Sequence, residues 1–335
     1  MLFATLQFVG LAALIIAAGT VLARCADVIA EATGFGRLLI GSVLLAGATS
    51  LPELSVDISA VRLNMPDLAM GDLLGSSLMN LLILAVLDLT HHSRGKMLSR
   101  VAAAHALSGL FSIALTALIG LGLLTARRAG HLVLLGVHAW VWVVAVSYIL
   151  GVRMVFLDQR VAEREAHDKK LETPAEQRHM PLWRALVGFA LAALAILAAG
   201  PYLAEAAGQI AELSGLGKTF VGTTLVALCT SLPELAASYA AIRLGSLDLA
   251  IGNVFGSNAF NMLLFLPLDL VLPGSLLAAV SPAHAVSVFA AIVATSVVIM
   301  GQLYNVESRT KLLEPDAIIV IAIILAGLAI IYYAR

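Results

Sequence analysis

The sequence predicts an all-α integral membrane protein in which ten transmembrane helices form two five-helix repeats of inverted topology. Composition is the first reason: 61% of the 335 residues are hydrophobic, 12% are charged, and mean hydropathy is +0.99. A soluble chain of this size needs far more charge to cover its surface. Apolar stretches of about 20 residues, enough for a helix to cross the hydrocarbon core, recur along the chain. The third reason is a long internal repeat.

The apolar stretches define ten predicted spans. Their limits are 3–23, 38–62, 67–88, 101–124, 130–152, 183–204, 219–243, 248–270, 281–302 and 314–333. No charged region precedes the first stretch and no small-residue cleavage site follows it, so we interpret it as a span and not as a signal peptide. No polar stretch is long enough to form a soluble domain.

The internal repeat becomes visible when the chain is shifted by 181 residues. Segment 41–89 then aligns with 222–270 without a gap, and 23 of the 49 positions are identical. Each copy carries five predicted spans, and because five is odd, the second copy enters the membrane from the opposite side. The sequence therefore predicts a first repeat over 1–152, a linker over 153–181 and a second repeat over 182–335.

Orientation follows from the basic residues. Fifteen of the twenty lysines and arginines fall on the side of the membrane that holds the 153–181 connection, and five fall on the side of the termini. Positive charge marks the cytoplasmic side. We therefore predict a multi-pass protein of the cell (inner) membrane with both termini extracytoplasmic, surrounded by the lipid bilayer.

Each repeat contains the motif Thr-Ser-Leu-Pro-Glu-Leu inside an apolar span, at 49–54 and 230–235. A proline in a helix removes one backbone hydrogen bond and clashes with the preceding turn. We therefore expect carbonyls around Ala46–Thr49 and Ala227–Thr230 to be free to bind something else. Bare carbonyls are not stable in lipid, so they must face a polar cavity or an ion.

The motif also places Glu53 and Glu234 near the bilayer centre. Each carboxylate there costs roughly 2.5–3.5 kcal/mol on insertion scales, and a divalent cation between them would compensate for both charges. Calcium prefers about six to eight oxygen ligands, and four hydroxyl groups stand beside the glutamates: those of Thr49, Ser50, Thr230 and Ser231. The alternative is a pair of protonated glutamates that only pack between helices.

The span after each motif adds a polar face. Asp72, Ser76 and Asn80 are spaced four apart and share one side of a helix. Their counterparts in the second copy are Asn253, Ser257 and Asn261. We expect the two central asparagines, Asn80 and Asn261, to line the cation site, whereas interhelical hydrogen bonding is the alternative for the outer positions. Asp57, whose counterpart is Ser238, is predicted either to line an access path or to face the membrane interface.

These motifs resemble those of the calcium/cation antiporter superfamily, which includes the sodium/calcium exchangers and their prokaryotic relatives. The shared signatures are Gly-x-x-x-x-Ala-x-x-Thr-Ser-Leu-Pro-Glu-Leu and Gly-[Asn/Asp]-x-x-Gly-Ser, each present twice. The resemblance implies that Glu53 and Glu234 bind Ca²⁺. It further implies that Ca²⁺ or Na⁺ has oxygen ligands at Ala46, Thr49, Ser50, Ala227, Thr230 and Ser231, and that Ser76 and Ser257 bind Na⁺ while Asn80 and Asn261 form the central pair.

Three positions depart from the family pattern. Asn261 stands where some relatives carry an aspartate, while Asp72 and Ser77 each replace an asparagine. Asp72 would restore the negative charge missing at Asn261. The resemblance then implies an antiporter that exchanges Ca²⁺ for Na⁺ by alternating access, in which only fully loaded states let the first and sixth spans slide.

Three other functions are alternatives to this one. The nearest is a Ca²⁺/H⁺ antiporter that uses the same glutamates as proton carriers. An intramembrane enzyme with Ser50 or Ser231 as nucleophile would need a general base, and the sequence places no histidine or lysine nearby. A passive channel would be slowed by two glutamates that hold a divalent ion tightly. The sequence indicates no cofactor, no nucleic-acid partner and no obligate protein partner.

Overall fold

The computed structural model describes residues 2–90, 102–126, 132–169, 180–214, 227–303 and 315–333. These residues form helices and one short antiparallel hairpin. The helices are α1 (Leu2–Thr33), α2 (Arg37–Thr49), α3 (Leu51–Arg62), α4 (Pro66–Thr90), α5 (Ala102–Thr125), α6 (Ala139–Lys169), α7 (Leu182–Ser214), α8 (Leu232–Arg243), α9 (Leu247–Val271), α10 (Leu276–Ala279), α11 (Ala285–Leu303) and α12 (Pro315–Tyr333). Strands β1 (Val133–Leu134) and β2 (Val137–His138) form the hairpin.

Seven of the described helices are long and apolar enough to cross a membrane, and the α2–α3 pair, bent by 42°, brings the number to eight if it is counted as one span. The last helix contributes a shorter apolar stretch, Ala317–Ile330. Of the predicted seventh span, 219–243, only residues from 227 onward are described: residues 227–230 are helical and α8 follows. The structure therefore establishes a multi-helical membrane fold, while the count of ten spans stays a prediction.

Three predicted boundaries are wrong. The fifth span begins at Ala139 and not at 130, because the hairpin precedes it; Leu135 (φ 53°) and Gly136 (φ 82°) have the positive φ values that a tight hairpin turn requires. Helix α1 continues to Thr33, well past residue 23. Helix α6 continues to Lys169, so the first half of the predicted 153–181 linker is helical; residues 170–179 lie outside the described residues.

An ion pair explains why α1 continues beyond its apolar part. Asp27 is fully buried and accepts a hydrogen bond of 2.6 Å from Nε of Arg37, at the start of α2. The hydroxyl of Ser246, just before α9, donates to the same carboxylate at 2.6 Å. The polar turns at the end of α1 thus fasten it to the helices that carry the central polar residues.

Helices α4 and α9 form the centre of the bundle. The most apolar windows of their spans are 78% and 67% buried, whereas the corresponding values for the other spans are 28–50%. Small residues allow the close packing: a Cβ at Gly41 would lie 2.6 Å from the carbonyl of Leu249, and one at Gly252 would lie 2.6 Å from that of Leu38. Helix α9 therefore packs directly against the backbone of α2.

Helices α1 and α7 lie together at the side of this centre, and each crosses the broken helix of the other half. A Cβ at Gly19 would lie 3.2 Å from the carbonyl of Pro233, and one at Gly200 would lie 2.6 Å from Cβ of Pro52. These two contacts are related by the shift of 181 residues. On their outer faces α1 and α7 expose large apolar side chains such as Phe3 and Leu191, as expected of helices in contact with lipid.

Candidate cation site

Each Thr-Ser-Leu-Pro-Glu-Leu motif breaks its helix at the serine. Ser50 (φ −87°, ψ 11°) ends α2, and Ser231 (φ −83°, ψ 2°) precedes α8. The amide of Ser50 donates to the carbonyl of Ala46 at 3.0 Å, and that of Ser231 donates to the carbonyl of Ala227 at 3.1 Å. The helix therefore continues as far as the serine and breaks there. Glu53 and Glu234 consequently lie in the first turn of the next helix.

The prediction that the carbonyls of Ala46 and Ala227 are freed by the prolines is therefore wrong. Each accepts its serine amide, and each also lies near a threonine hydroxyl as an alternative acceptor, at 3.2 Å from Thr49 Oγ1 and 3.3 Å from Thr230 Oγ1. The missing N–H belongs to the proline, whose helical acceptor is four residues earlier. The carbonyls that lose a donor are consequently those of Ala48 and Cys229.

The two glutamates are both completely buried but have different surroundings. Glu234 Oε1 accepts hydrogen bonds from the hydroxyls of Ser50 at 3.1 Å and Ser257 at 3.4 Å. Neither carboxylate oxygen of Glu53 receives a hydrogen bond from a described residue. The carboxyl groups of Glu234, Asp72 and Asp57 are near enough to repel a negative charge on Glu53, so four carboxyl groups share the interior of the bundle.

The threonine and serine hydroxyls join the two halves through reciprocal contacts. Thr49 Oγ1 lies 3.5 Å from Ser257 Oγ, and Thr230 Oγ1 lies 3.1 Å from Ser76 Oγ. Adding or subtracting 181 converts one pair into the other. Each threonine of a broken helix thus contacts the polar face of the central helix from the opposite half, and four predicted hydroxyl ligands come together.

One turn before these serines, Asp72 and Asn253 are also contacted by the threonine of the opposite half. Thr49 donates to Oδ1 of Asn253, and Thr230 donates to Oδ1 of Asp72, both at 3.3 Å. The positions correspond, but one half presents an amide and the other a carboxylate. Asp72 Oδ2 has no hydrogen-bond donor among the described residues.

The central asparagines are buried but do not contact each other. Asn80 donates to Oδ1 of Asn258 at 3.0 Å, and Asn258 donates to the carbonyl of Ser77 at 3.2 Å. Both side-chain polar atoms of Asn261 are without a partner in the described part of the chain, as is the hydroxyl of Ser231. Ser77, one of the departures from the family pattern, therefore takes part in this pairing through its backbone.

Sequence reasoning underestimated Asp57. Its side chain is fully buried and neighbours the Asp72 carboxyl group, so the interface-facing alternative is wrong. The signal in the sequence was its spacing of one helical turn from Glu53, on the same face of the helix. Spacing alone did not reveal that α4 brings a second aspartate to the same place.

The chemistry of this interior favours a hard cation. Among the described residues no three His, Cys, Asp or Glu side chains form a compact metal-binding group, so a bound ion would need hydroxyl, amide or carbonyl oxygens in addition to carboxylates. Calcium and sodium accept such mixed oxygen ligands. No described lysine, arginine or histidine forms an ion pair with Glu53, Asp57, Asp72 or Glu234.

Buried carboxylates beside two broken helices, inside a multi-pass bundle, are typical of secondary transporters of ions. Comparison with known families gives the particular class. The chain belongs to the sodium/calcium exchanger protein family, whose model matches residues 3–158 and 184–334. The resemblance inferred from the motifs is thus confirmed. Because this is a family of exchangers, the intramembrane-enzyme alternative is wrong.

Individual relatives agree with this assignment. Inner membrane protein YrbG of Escherichia coli is 30% identical over 287 residues, which cover 82% of each chain. Sodium/calcium exchanger MaX1 of Methanosarcina acetivorans is 46% identical over 79 residues, 24% of this chain and 23% of the relative. A structure of the sodium-calcium exchanger NCX_Mj, soaked with Na⁺ and Sr²⁺, superposes with a TM-score of 0.68 over 98% of this chain and 99% of that chain, at 20% identity. That similarity confirms the fold.

Proposed function

We propose that this protein is a secondary active antiporter that exchanges Ca²⁺ for Na⁺ by alternating access. The observation that carries the proposal is the pair of buried glutamates, Glu53 and Glu234, each presented just after a helix break. Family membership supports cation antiport. The names of MaX1 and NCX_Mj, which describe those proteins as sodium/calcium exchangers, support Na⁺ as the counter-ion.

Charge balance supports calcium as the transported ion. Two carboxylates in a low-dielectric interior are costly when no cation accompanies them, and one Ca²⁺ neutralises both. We assign the remaining coordination to side-chain oxygens of eight residues predicted from the sequence. They are Thr49, Ser50, Ser76, Asn80, Thr230, Ser231, Ser257 and Asn261.

Competition between Na⁺ and Ca²⁺ for overlapping oxygens would couple the two ions. Several Na⁺ ions, or one Ca²⁺, would satisfy the same carboxylates, and either loading would remove the electrostatic obstacle to closing the site. The moving elements in this proposal are α1 and α7, which cross the breaks of the opposite halves at Gly19 and Gly200. Their outer faces are exposed on the surface of the bundle, which suits sliding helices.

We also infer the ten-span, inverted arrangement in the inner membrane with extracytoplasmic termini. Three features support it: the odd number of predicted spans per repeat, the excess of basic residues on one side, and the reciprocity of the hydroxyl contacts under the 181-residue shift. Two copies related by a two-fold axis in the membrane plane would produce such exchanged contacts. The repeats themselves would extend over 1–152 and 182–335.

Exchange of Ca²⁺ for H⁺ is the second candidate, and one observation favours it. Glu53 has no hydrogen-bond donor among the described residues and lies near three other carboxyl groups. Such surroundings suit a group that carries a proton during part of the cycle. Asn261, in place of an aspartate found in some relatives, also leaves the sodium ligands less complete.

Calcium flux in sealed proteoliposomes separates the two candidates. The purified chain is reconstituted, and ⁴⁵Ca²⁺ uptake is measured either with a Na⁺ gradient at equal pH on both sides or with a pH gradient in Na⁺-free buffer. We expect uptake with the Na⁺ gradient and only background uptake with the pH gradient. Protein-free liposomes and an added sodium ionophore provide the controls. Uptake that follows only the pH gradient would overturn sodium coupling and support the second candidate.

A further inference from the structure

Asp57 and Asp72 form a pair of carboxyl groups beside the central glutamates. Both side chains are completely buried, Asp57 in α3 and Asp72 in α4, and their carboxyl groups are neighbours. The side chains at the corresponding positions of the second copy are 3.0 Å apart. No described residue donates to either oxygen of Asp57 or to Oδ2 of Asp72. Among the described residues, the donor to the pair is the hydroxyl of Thr230, 3.3 Å from Asp72 Oδ1.

The second copy places different residues at the same two positions. There Ser238 and Asn253 correspond to Asp57 and Asp72. Nδ2 of Asn253 donates to the hydroxyl of Ser238 at 3.0 Å and reaches the backbone carbonyl of Glu234 at 3.5 Å. A neutral hydrogen-bonded pair therefore satisfies this part of the scaffold, and helix packing does not require two acids.

Two buried acids that replace a neutral pair need a positive partner. Two like charges in contact destabilise the folded chain unless a cation or protons offset them. No described basic side chain pairs with Asp57 or Asp72. The available ligands are all oxygens, namely two carboxylates and the hydroxyl of Thr230, with that of Ser76 next to it, and such ligands favour Ca²⁺ over transition metals.

We propose that Asp57, Asp72 and the hydroxyl of Thr230 form a second Ca²⁺ site, adjacent to the Glu53–Glu234 site. Asp57 lies four residues after Glu53, which places the second site about 6 Å along the axis of α3, towards Arg62. The proposal rests on the proposed function and deepens it: calcium is held at the aspartates on its way to or from the glutamates. The second copy has no equivalent, so the chain holds this additional ion on one side of the centre only.

Calcium titration of the purified full-length chain, by calorimetry, tests the second site. The wild type should show two binding steps. The double variant Asp57→Ser with Asp72→Asn, which gives the first copy the residues of the second, should keep one step with affinity close to that of the central site. Glu234→Gln should remove the central step and keep the other.

Thermal melting in calcium-free buffer distinguishes a binding role from a structural role. If the acids serve to bind an ion, the double variant should melt at the same temperature as the wild type or higher, because two unpaired buried charges are gone. A lower melting temperature would indicate a structural role. If the double variant does not fold, Asp72→Asn alone, which copies Asn253, provides the test.

The outcomes separate this proposal from the proposed function. Two binding steps that persist in the double variant would overturn the second site. A single binding step in the wild type would also overturn the second site. This holds if only Glu234→Gln abolishes that step, and also if Glu234→Gln and the double variant each abolish it. A wild-type chain that binds no calcium at all would instead overturn calcium transport itself, and the second site with it.

Discussion

The two halves of this molecule share a framework of contacts but not the electrostatics of their carboxylates. Thr49 and Thr230 each contact the central helix of the opposite half through hydroxyl groups. Yet Glu234 accepts hydrogen bonds from two serines, while Glu53 has no donor among the described residues. Sequence duplication therefore kept the packing and the hydroxyl ligands, and the charged positions diverged.

The differences between the halves show which positions tolerate substitution and which do not. Helix crossings need small residues and fixed distances, because close-packed backbones leave no room for adjustment. A polar side chain in the interior can change its charge as long as the transported ion supplies the missing partner. We therefore expect the two repeats of a duplicated transporter to keep the same helix packing while their buried charged side chains differ.

The largest effects should come from the glutamates, and they should differ between the halves. Glu53→Gln and Glu234→Gln should each reduce ⁴⁵Ca²⁺ exchange to background, because one remaining carboxylate no longer neutralises the ion. In calcium-free buffer, however, Glu53→Gln should raise the melting temperature, since it removes a charge without hydrogen-bond donors. Glu234→Gln should change it less, because Ser50 and Ser257 already stabilise that carboxylate.

The control is the same substitution at Glu205, an exposed glutamate of α7 that interacts with Gln209. Glu205→Gln should leave both the exchange rate and the melting temperature unchanged. Exchange that survives in Glu53→Gln would remove Glu53 from the site. Equal shifts in melting temperature for the two site variants would contradict the difference between the halves.

Intermediate effects should come from the crossings of α1 and α7, and here the halves should behave alike. A Cβ at Gly19 would lie 2.8 Å from Cβ of Ala236, and one at Gly200 would lie 2.6 Å from Cβ of Pro52. Alanine at either position should therefore destabilise the chain by about 1–3 kcal/mol and slow exchange. Initial rates and melting curves measure both effects.

Gly10→Ala provides the matched control, because a Cβ at Gly10 in α1 would meet nothing within 4 Å. It should leave exchange unchanged. If Gly19→Ala impaired exchange and Gly200→Ala did not, the two long helices would not perform equivalent roles, and the reciprocal sliding proposed for them would be wrong.

Much of this architecture could be predicted from the sequence because duplicated polar residues in an apolar chain are a strong signal. The gap-free match of 41–89 with 222–270 identified the elements that lie together, and the Pro-Glu motifs located the helix breaks. Family membership is confirmed by the comparisons. The site residues stay predictions, although the structure brings Thr49 into contact with Ser257 and Thr230 into contact with Ser76.

The remainder depended on three-dimensional packing that a linear pattern does not contain. Free carbonyls were predicted around Ala46–Thr49 and Ala227–Thr230, but those of Ala46 and Ala227 accept serine amides because the helix continues to the serine. The sequence predicted too short an α1 because the apolar stretch ends before polar residues such as Asp27. In the structure the helix continues through Asp27, whose buried carboxylate pairs with Arg37. The proximity of Asp57 to Asp72 could not be predicted, because it results from the packing of α4 against α3.

The smallest effects should come from the two serines at the helix breaks, which test the comparison most finely. Ser50 donates to Glu234 at 3.1 Å, whereas the buried hydroxyl of Ser231 has no partner among the described residues. Ser50→Ala should therefore lower calcium-free stability by about 1 kcal/mol, and Ser231→Ala should leave it unchanged. As proposed ligands, both should weaken calcium binding by no more than about tenfold, or roughly 1.4 kcal/mol.

Melting curves without calcium and calcium titrations of the two alanine variants measure these effects separately. Ser→Thr at each position serves as the control, because it keeps the hydroxyl and should keep most of the affinity. Equal losses of calcium-free stability would mean that Ser231 has a hydrogen-bond partner in the resting protein. The asymmetry between the halves would then be confined to the aspartates, because the two glutamates would have equivalent serine donors.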